Sequence, residues 1–389
     1  MCSGTGIVPL ADTVDLLTPV RWPDELSINP RLLMSDSTFQ RASLAGVATA
    51  VMTGGVVLTG WVLLEFDRAL FVYAQALVLS FSLTVYRMVV WMHRPATAKV
   101  YRQAGQAVWQ SRQRLRLGAH LLRRCLDYFA ANRFVALRGW NRWAAHWPVM
   151  IGCLLALATV VPLVFGWVWF ETVPDDLSSY RVMNFGVHVA TIPVDGVIAF
   201  VAFHALVWAA IPVLIGCSVA VVRRWRDRGD AAVQTFAYDI LPLLALLSIA
   251  VSGLLLTVSY AFLGGRFHSV IAGFHMVAVC LTLLWLPYSK LLHIPQRSLK
   301  LAHMICEFEY PVSGAVTCCR CGQEFADQRQ IDDLIHVQQT LGYRYELPEE
   351  TSLAQEQQHY QFICPQCRRA ALVLCQTSRW SPNANVSGS

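Results

Sequence analysis

Charged side chains are scarce in this sequence of 389 residues. Asp, Glu, Lys and Arg together make up 14% of it, whereas soluble domains carry about 25%. Apolar residues make up 55%, which excludes a disordered chain and a single soluble globule. Residues 1–40 contain no basic stretch followed by a short apolar run, so we expect no cleavable signal peptide. The composition therefore predicts a membrane protein with several spans.

Several catalytic and cofactor motifs are also missing. There is no C-x-x-C-H motif, so the sequence does not favour covalent attachment of c-type haem. The C-x2-C-x2-C-x3-C-P run of bacterial ferredoxins is absent as well. We find no nucleophile, acid–base pair or nucleotide-binding loop, and therefore do not expect this chain to carry out substrate chemistry by itself.

Six apolar segments are long enough to cross the hydrocarbon core of a membrane, which takes about 20 residues. They cover residues 43–64, 69–92, 147–170, 196–222, 236–263 and 269–290. The first two are separated only by residues 65–68 and are predicted to form a hairpin. The sequence thus predicts an all-α membrane helical bundle of about six transmembrane helices.

Basic residues are concentrated in two of the connecting segments. Residues 94–146 hold eleven Lys or Arg residues and one acid, Asp127. The link after the fourth span is rich in arginine, whereas residues 171–195 hold four acids and one arginine, Arg181. Because basic loops stay on the cytoplasmic side, we predict that both basic segments and both termini face the cytoplasm of a bacterial or archaeal inner membrane. The basic residues are Arg94, Lys99, Arg102, Arg112, Arg114, Arg116, Arg123, Arg124, Arg133, Arg138 and Arg142 in the loop, and Arg223, Arg224, Arg226 and Arg228 in the link.

The basic loop contains a segment with helical periodicity. Apolar residues between Leu115 and Phe129 fall near one helical face, and arginines surround them. This pattern is typical of an amphipathic helix that lies on the inner leaflet of the membrane. A docking surface for a cytoplasmic partner is the alternative. Nucleic-acid binding is not expected, because proximity to the membrane already accounts for the arginines.

Four histidines lie in or beside the predicted spans. His204 is within the fourth span and His275 within the sixth, while His146 precedes the third span and His293 follows the sixth. Ionisable residues in a membrane are costly, so they usually face the bundle interior and serve a function. Each histidine could instead be a core residue with satisfied hydrogen bonds or an interfacial anchor.

The spacing of these histidines predicts two pairs. His275 and His293 are eighteen residues apart, or five helical turns, so they face the same way if the helix continues through Pro287. By depth in the membrane, His293 would pair with His146 and His275 with His204. Helices that face each other can hold b-type haem between two imidazoles. The alternatives are His188 for the outer pair, and His93 and His120 for the inner pair.

Three stretches of the sequence resemble a known family of membrane cytochromes. The strongest is 274–295, which contains both His275 and the run LPYSKLLHI that ends at Ile294. The others are 142–152 and 239–253. Together they resemble the gamma subunit of respiratory nitrate reductase. The stretch 274–295 is more similar still to the membrane cytochrome b subunits of heterodisulfide-reductase-like and sulfite-reductase-associated complexes.

This resemblance implies a b-type cytochrome with two non-covalent haems. Such a subunit passes electrons between membrane quinone, its substrate, and a cytoplasmic iron–sulfur or molybdenum partner subunit. His146, His275 and His293 match the ligand positions of the family. The family's second histidine on the third span is replaced here by Ala156, so an outer haem needs another ligand, such as His204, or is absent. The N-terminal hairpin and the cysteine-rich tail also depart from the nitrate reductase pattern.

Lys290 lies one helical turn before His293 and has two interpretations. Its ammonium group could pair with haem propionates at the membrane face, which is a charge-assisted contact. Alternatively, it is a lysine that extends to the interface and marks the end of the span.

Seven of the twelve cysteines lie between residues 306 and 375. Two C-x-x-C motifs, Cys318 with Cys321 and Cys364 with Cys367, supply four thiolates, which is the ligand set of a tetrahedral structural zinc site. An iron site with the same four cysteines is the alternative. Cys319 is the spare cysteine of the first motif. A cytoplasmic location argues against disulfides. The remaining two, Cys306 and Cys375, are interpreted as ordinary thiols.

These observations divide the chain into five predicted regions. They are a cytoplasmic N-terminal segment (1–41), a transmembrane hairpin (42–92), a basic cytoplasmic loop with an amphipathic helix (93–146), a four-helix haem-binding bundle (147–293) and a cytoplasmic zinc-ribbon-like domain (294–389). The first functional hypothesis is an electron-transfer cytochrome subunit of a respiratory redox complex. The second is a haem-free membrane scaffold or assembly protein that recruits a partner through its zinc domain.

Overall fold

A computed structural model describes residues 36–63, 70–174, 176–226, 234–310, 314–343 and 359–379. Most of the predicted N-terminal segment, the hairpin turn at 65–68 and Arg228 lie outside these residues, and so does the side chain of Cys375. The chain divides into two compact units. The helical unit comprises Asp36–Trp91 and Gly118–Leu301. The cysteine unit contains Met92–Leu117 and the described residues from Ala302 onward.

Most of the described residues are helical. In chain order the first helices are α1 (Asp36–Leu63), α2 (Phe71–Met92), α3 (Pro95–Gln110), α4 (Arg114–Cys125), α5 (Arg133–Ala136) and α6 (Trp140–Val164). After three strands follow α7 (Val197–Phe203), α8 (Ala205–Arg226), α9 (Leu241–Phe262), α10 (His268–Trp285) and α11 (His293–Gln296). The helices of the C-terminal part are α12 (Ser298–Glu309), α13 (Gln328–Thr340) and α14 (Pro365–Arg379).

Six helices in the described residues are long and apolar enough to cross a membrane, as the sequence predicts. They cover Ser37–Leu58, Phe71–Met92, Trp140–Val164, Ala205–Arg226, Phe236–Phe262 and His268–Tyr288. Many of their large apolar side chains are exposed, among them Leu44, Leu154 and Leu281. In water such surfaces would aggregate, whereas lipid accommodates them. The chain is therefore a mostly helical, multi-pass membrane protein.

The prediction of an all-α fold is wrong for the loop between the third and fourth spans. This loop forms an antiparallel sheet with the strand order β1 (Val168–Val173), β2 (Asp176–Asn184), β3 (Val187–Pro193). The third span correspondingly ends at Val164 instead of residue 170. Phe185 and Gly186 form a two-residue hairpin turn, and both have positive φ, at 47° and 82°. Two such residues match the right-handed twist of paired strands, so this turn and its alternating β-branched neighbours favour a hairpin.

The spans of the helical unit pack in sequence, with α6 against α8, α8 against α9, and α9 against α10. Two glycines allow the first contact to be very close. A Cβ at Gly152 would lie 2.6 Å from the carbonyl oxygen of Ala209, and one at Gly216 would lie 2.5 Å from that of Ala145. Small residues of this kind let membrane helices approach to backbone contact.

Two of the predicted spans are interrupted at histidines. The fourth is broken at His204, which separates α7 from α8. The sixth ends as a regular helix at Trp285 and continues as short 3₁₀ turns before His293 begins α11. Ser289 is extended between these turns, and its hydroxyl accepts a hydrogen bond from the backbone N–H of Leu291 at 3.1 Å. The continuous helix assumed for the eighteen-residue histidine spacing is therefore not present.

The cysteine unit contains a small two-stranded sheet, β4 (Ala315–Thr317) with β5 (Glu324–Asp327), and α13 packs against it. Its core is formed by Val316, Ile331 and Phe362. Helix α3 of the basic loop also belongs to this unit and packs on α13. Asp333 on α13 joins the two helices. Its carboxylate forms a salt bridge with the ammonium group of Lys99 at 2.6 Å and accepts a hydrogen bond from the side-chain amide of Gln103 at 3.2 Å.

Candidate metal and haem sites

Four cysteines converge in the cysteine unit. Cys318 and Cys321 lie in the turn that joins β4 to β5, and Cys364 and Cys367 lie at the start of α14. Gly322 ends the first turn with φ +71°, a conformation that side chains other than glycine rarely adopt. The backbone N–H of Cys319 donates to the carbonyl of Phe362 at 3.1 Å, which ties the two cysteine segments together.

The sulfur positions suit a tetrahedral metal ion. All four Sγ atoms lie within 4.8 Å of one another, and those of Cys321 and Cys364 are 3.8 Å apart. A tetrahedron with Zn–S bonds of about 2.3 Å has an S–S edge of about 3.8 Å. The residues therefore fit a four-thiolate metal site.

Backbone N–H groups point at the sulfurs. The N–H of Cys364 donates to Cys318 Sγ at 3.2 Å, and the N–H of Cys367 donates to Cys364 Sγ at 3.4 Å. Burial raises the pKa of the Cys318 thiol, but backbone donors from Cys364, Cys321 and Arg320 outweigh it and lower that pKa to about 7. This environment stabilises a thiolate, which is the form that binds metal.

Burial and the neighbouring sulfurs raise the pKa of Cys367. Repulsion of this kind arises when several thiols compete to hold negative charge. A divalent cation at the centre would compensate for it and favour four thiolates.

Cys319 faces away from this cluster. Its side chain packs against the apolar core formed by Val316, Ile331 and Phe362. Burial, followed by the negative charge of Cys318, raises the pKa of Cys319 to about 11. It therefore stays a neutral thiol, in agreement with its interpretation as the spare cysteine.

His146 and His293 share a charged neighbour in the helical unit, because the charge of Arg297 acts on both rings. The charge of His293 also acts on His146. Nδ1 of His146 is buried and makes no hydrogen bond with any described residue. A buried polar atom without a partner is costly, so His146 differs from a core histidine whose hydrogen bonds are satisfied.

His293 is oriented by the backbone. Its Nδ1 lies 2.5 Å from the carbonyl oxygen of Lys290, which fixes Nδ1 as the donor and leaves Nε2 as the basic nitrogen. Burial lowers the pKa of His293, the Lys290 carbonyl opposes this, and the charge of Arg297 lowers it further. A neutral imidazole with an available Nε2 is the form that ligates metals.

The structure does not bring His204 and His275 into contact. Nδ1 of His204 lies 2.8 Å from the carbonyl oxygen of Phe200, and its ring is tilted against the Phe200 ring at 4.4 Å. Nδ1 of His275 lies 2.9 Å from the hydroxyl of Ser252, and its ring packs beside Gly253. Both residues could offer Nε2 to a metal, but no described contact joins them. Their assignment as an outer haem pair stays a prediction.

Lys290 is already engaged in an ion pair. Its ammonium group bonds the carboxylate of Asp239, at the start of the fifth span. The prediction that Lys290 contacts haem propionates therefore has a competing partner in this structure. His188, the alternative ligand that the sequence offers for the outer pair, lies on β3. Its Nε2 is 3.0 Å from the hydroxyl oxygen of Thr191 on the same strand.

Sequence reasoning missed Arg297, which follows His293 by one helical turn. Its guanidinium donates to the side chain of Asn132 at 3.3 Å and lies over the ring of Phe134, 4.5 Å from the centroid. Asn132 is fully buried and has φ +49°, so the chain turns sharply to present it. The sequence could have indicated Arg297, because it is a cation one helical turn after the candidate ligand His293. Lys290 is likewise a cation one turn before His293.

No protein-family model, curated protein or solved structure matches this chain. The family resemblance described from the sequence thus stays an expectation.

Proposed function

We propose that this chain is a b-type cytochrome that serves as the membrane subunit of a respiratory redox complex. The observation that supports it most directly is the cluster of His146, His293 and Arg297. Two imidazoles from separate helices lie beside a guanidinium at one end of the bundle, and one imidazole nitrogen is buried without a partner.

These residues fit a non-covalent haem. His146 and His293 would hold the haem iron through imidazole nitrogens, and Arg297 would pair with a propionate, since a guanidinium binds carboxylates in charge-assisted hydrogen bonds. Bound haem would supply a one-electron carrier. The residues of the chain would tune the haem's reduction potential. Burial and the charge of Arg297 would both favour reduced haem over oxidised haem, which carries one more positive charge.

The partners of this function follow from the sequence hypothesis. Electrons would pass between quinone in the membrane and an iron–sulfur or catalytic subunit on the cytoplasmic side, where the basic loop and the cysteine unit are predicted to lie. A second haem between His204 and His275 belongs to the same proposal. We assign no residues to a quinone site.

A reduced-minus-oxidised absorption spectrum of the purified full-length protein, expressed with haem supplied, tests the proposal. We expect the α and Soret bands of a b-type cytochrome. His146→Ala and His293→Ala should each lower the haem content, because each removes one of the two proposed haem ligands. His268→Ala is the matched control, since His268 is exposed at the start of α10.

The proposal fails if the folded wild-type protein shows no b-type absorption. It also fails if both ligand variants keep the haem content of the His268→Ala control. Loss of about half of the haem in each variant would indicate that a second haem is bound elsewhere in the bundle.

A second candidate function is a haem-free scaffold that recruits a partner through its metal domain. The four-cysteine cluster and the attachment of α3 to α13 through Lys99 and Asp333 favour it. Zinc is the metal we propose for the cluster, with iron as the alternative. A protein that binds this metal and lacks any b-type spectrum would favour the scaffold over the cytochrome.

A further inference from the structure

A basic cavity of about 300 Å³ lies in the helical unit, where α6 begins and α8 ends. It is lined by Arg138, Gly139, Trp140, Asn141, Arg142 and Arg223. Three of these six residues carry a guanidinium group, and none of the six is acidic. The proposed haem and metal sites use none of them, so the cavity needs a separate explanation.

The packing of α6 against α8 brings guanidinium groups from two helices to this point. The helices run in opposite directions, because Gly152 meets Ala209 while Gly216 meets Ala145. Arg223 follows Gly216 by about two turns, and Arg142 precedes Ala145 by about one turn. Both arginines therefore lie at the same end of the helix pair. An anion bound in the cavity would therefore meet guanidinium groups from both helices.

The start of α6 adds backbone donors to the same cavity. Gly139 precedes the helix with φ +136°, and Trp140 and Asn141 are its first residues. The first N–H groups of a helix have no partner within it, and the helix dipole makes this end attractive to anions. Backbone donors and guanidinium groups thus favour the same kind of ligand.

A row of tryptophans begins at the cavity. Trp140 stacks on Trp143 with ring centroids 4.5 Å apart, and Trp143 stacks on Trp147 at 5.9 Å. A row of tryptophans at the end of a membrane helix is typical of the interface between hydrocarbon and water. Trp140 itself is 67% exposed, so the rim of the cavity can contact a lipid.

We infer that this cavity binds a phosphate group, and that an anionic phospholipid supplies it. Guanidinium groups bind phosphate oxygens through paired, charge-assisted hydrogen bonds. Basic pockets between membrane helices accept the headgroups of anionic lipids. The inference is independent of haem or metal binding.

The test uses the purified full-length protein in a neutral detergent. Short-chain phosphatidylglycerol, short-chain phosphatidylcholine and inorganic phosphate are titrated separately by calorimetry. We expect phosphatidylglycerol to bind about tenfold more tightly than phosphatidylcholine, which carries no net charge. The double substitution Arg142→Gln and Arg223→Gln should weaken phosphatidylglycerol binding by about tenfold or more.

Arg226→Gln is the matched control, because Arg226 is exposed at the same end of α8 and does not line the cavity. It should change the affinity by less than about twofold, as expected for a screened surface charge. Arg138→Gln serves if the double variant does not fold, since this side chain is exposed and lines the cavity. It should weaken binding by about threefold or more.

Competition by inorganic phosphate identifies the source of the group. If phosphate displaces the lipid at similar concentrations, the site accepts free phosphate, and the lipid is overturned as the source of the group. If phosphate does not displace it, the result supports the lipid as the source. Equal affinity for the two lipids would overturn the inference, and so would equal losses in Arg226→Gln and in the cavity variants.

Discussion

Adjacent residues in the first cysteine motif have opposite environments. Backbone donors lower the pKa of Cys318 to about 7, whereas burial raises that of Cys319 to about 11. The turn between β4 and β5 directs the first thiol to the four-sulfur cluster and the second into the apolar core. Their chemistry therefore differs although both are cysteines in the same turn, and substitution can separate the two roles.

Cys364→Ser should abolish stoichiometric metal binding. Cys364 is buried, its sulfur accepts an N–H bond, and it lies 3.8 Å from Cys321 Sγ. Removing one of four thiolates weakens a structural zinc site severely, because metal binding there is worth about 10–16 kcal/mol. Elemental analysis of the full-length protein should fall from about one zinc per chain to a small fraction of that.

Cys319→Ser is the matched control and should keep about one metal per chain. A wild-type protein without stoichiometric metal contradicts the site, as does equal metal loss in both variants. Iron with visible charge-transfer absorption, in place of colourless zinc, would favour the alternative metal.

At the scale of helices and strands, the contact between α6 and α8 depends on glycine. Gly152 and Gly216 each lie so close to the facing backbone that a Cβ would clash with a carbonyl oxygen. Next to this contact, Val213, Cys217 and Ala250 form the buried core that joins α8 to α9. The same contact sets which residues meet at the basic cavity.

Gly152→Ala should destabilise the protein by about 1–3 kcal/mol, because a methyl group would overpack a backbone contact. Thermal unfolding in detergent, followed by circular dichroism, should show a lower Tm by several degrees. Gly273→Ala on α10 is the matched control, since a Cβ there meets nothing within 4 Å. This change should leave Tm unchanged or raise it slightly. Equal Tm values for the two variants would contradict the close packing of α6 and α8.

The sequence predicted the membrane helices and the cysteine cluster, but not the sheet or the helix breaks. Long apolar runs and C-x-x-C motifs are local signals, so neither needs knowledge of distant residues. The three strands β1 to β3 are short. The acidic residues of their segment indicate a polar loop more strongly than its alternating side chains indicate a sheet. The breaks at His204 and near Pro287 depend on backbone geometry that apolar periodicity does not report. The proximity of Arg297 to His146 depends on tertiary packing.

At the scale of the whole molecule, acidic and basic residues are concentrated in different segments between the membrane helices. The segment that becomes the three-stranded sheet carries acids, whereas the segments before α6 and at the end of α8 carry arginines. With six membrane-spanning helices this distribution is consistent with the positive-inside rule. By this rule we expect the proposed haem cluster, the basic cavity and the cysteine unit on the cytoplasmic side.

Reporter insertions test this orientation in the full-length chain. Alkaline phosphatase, which is active only outside the cytoplasm, is inserted at the Phe185–Gly186 turn, and in a second variant at Arg112 between α3 and α4. Exposed turns tolerate insertions. We expect activity only from the first insertion, because eleven Lys or Arg residues hold the loop of the second inside. Activity only from the second would reverse the topology, and activity from both would contradict the single crossing by α6 between the two sites. A green fluorescent protein at the C-terminus, fluorescent only in the cytoplasm, should report the same side as Arg112.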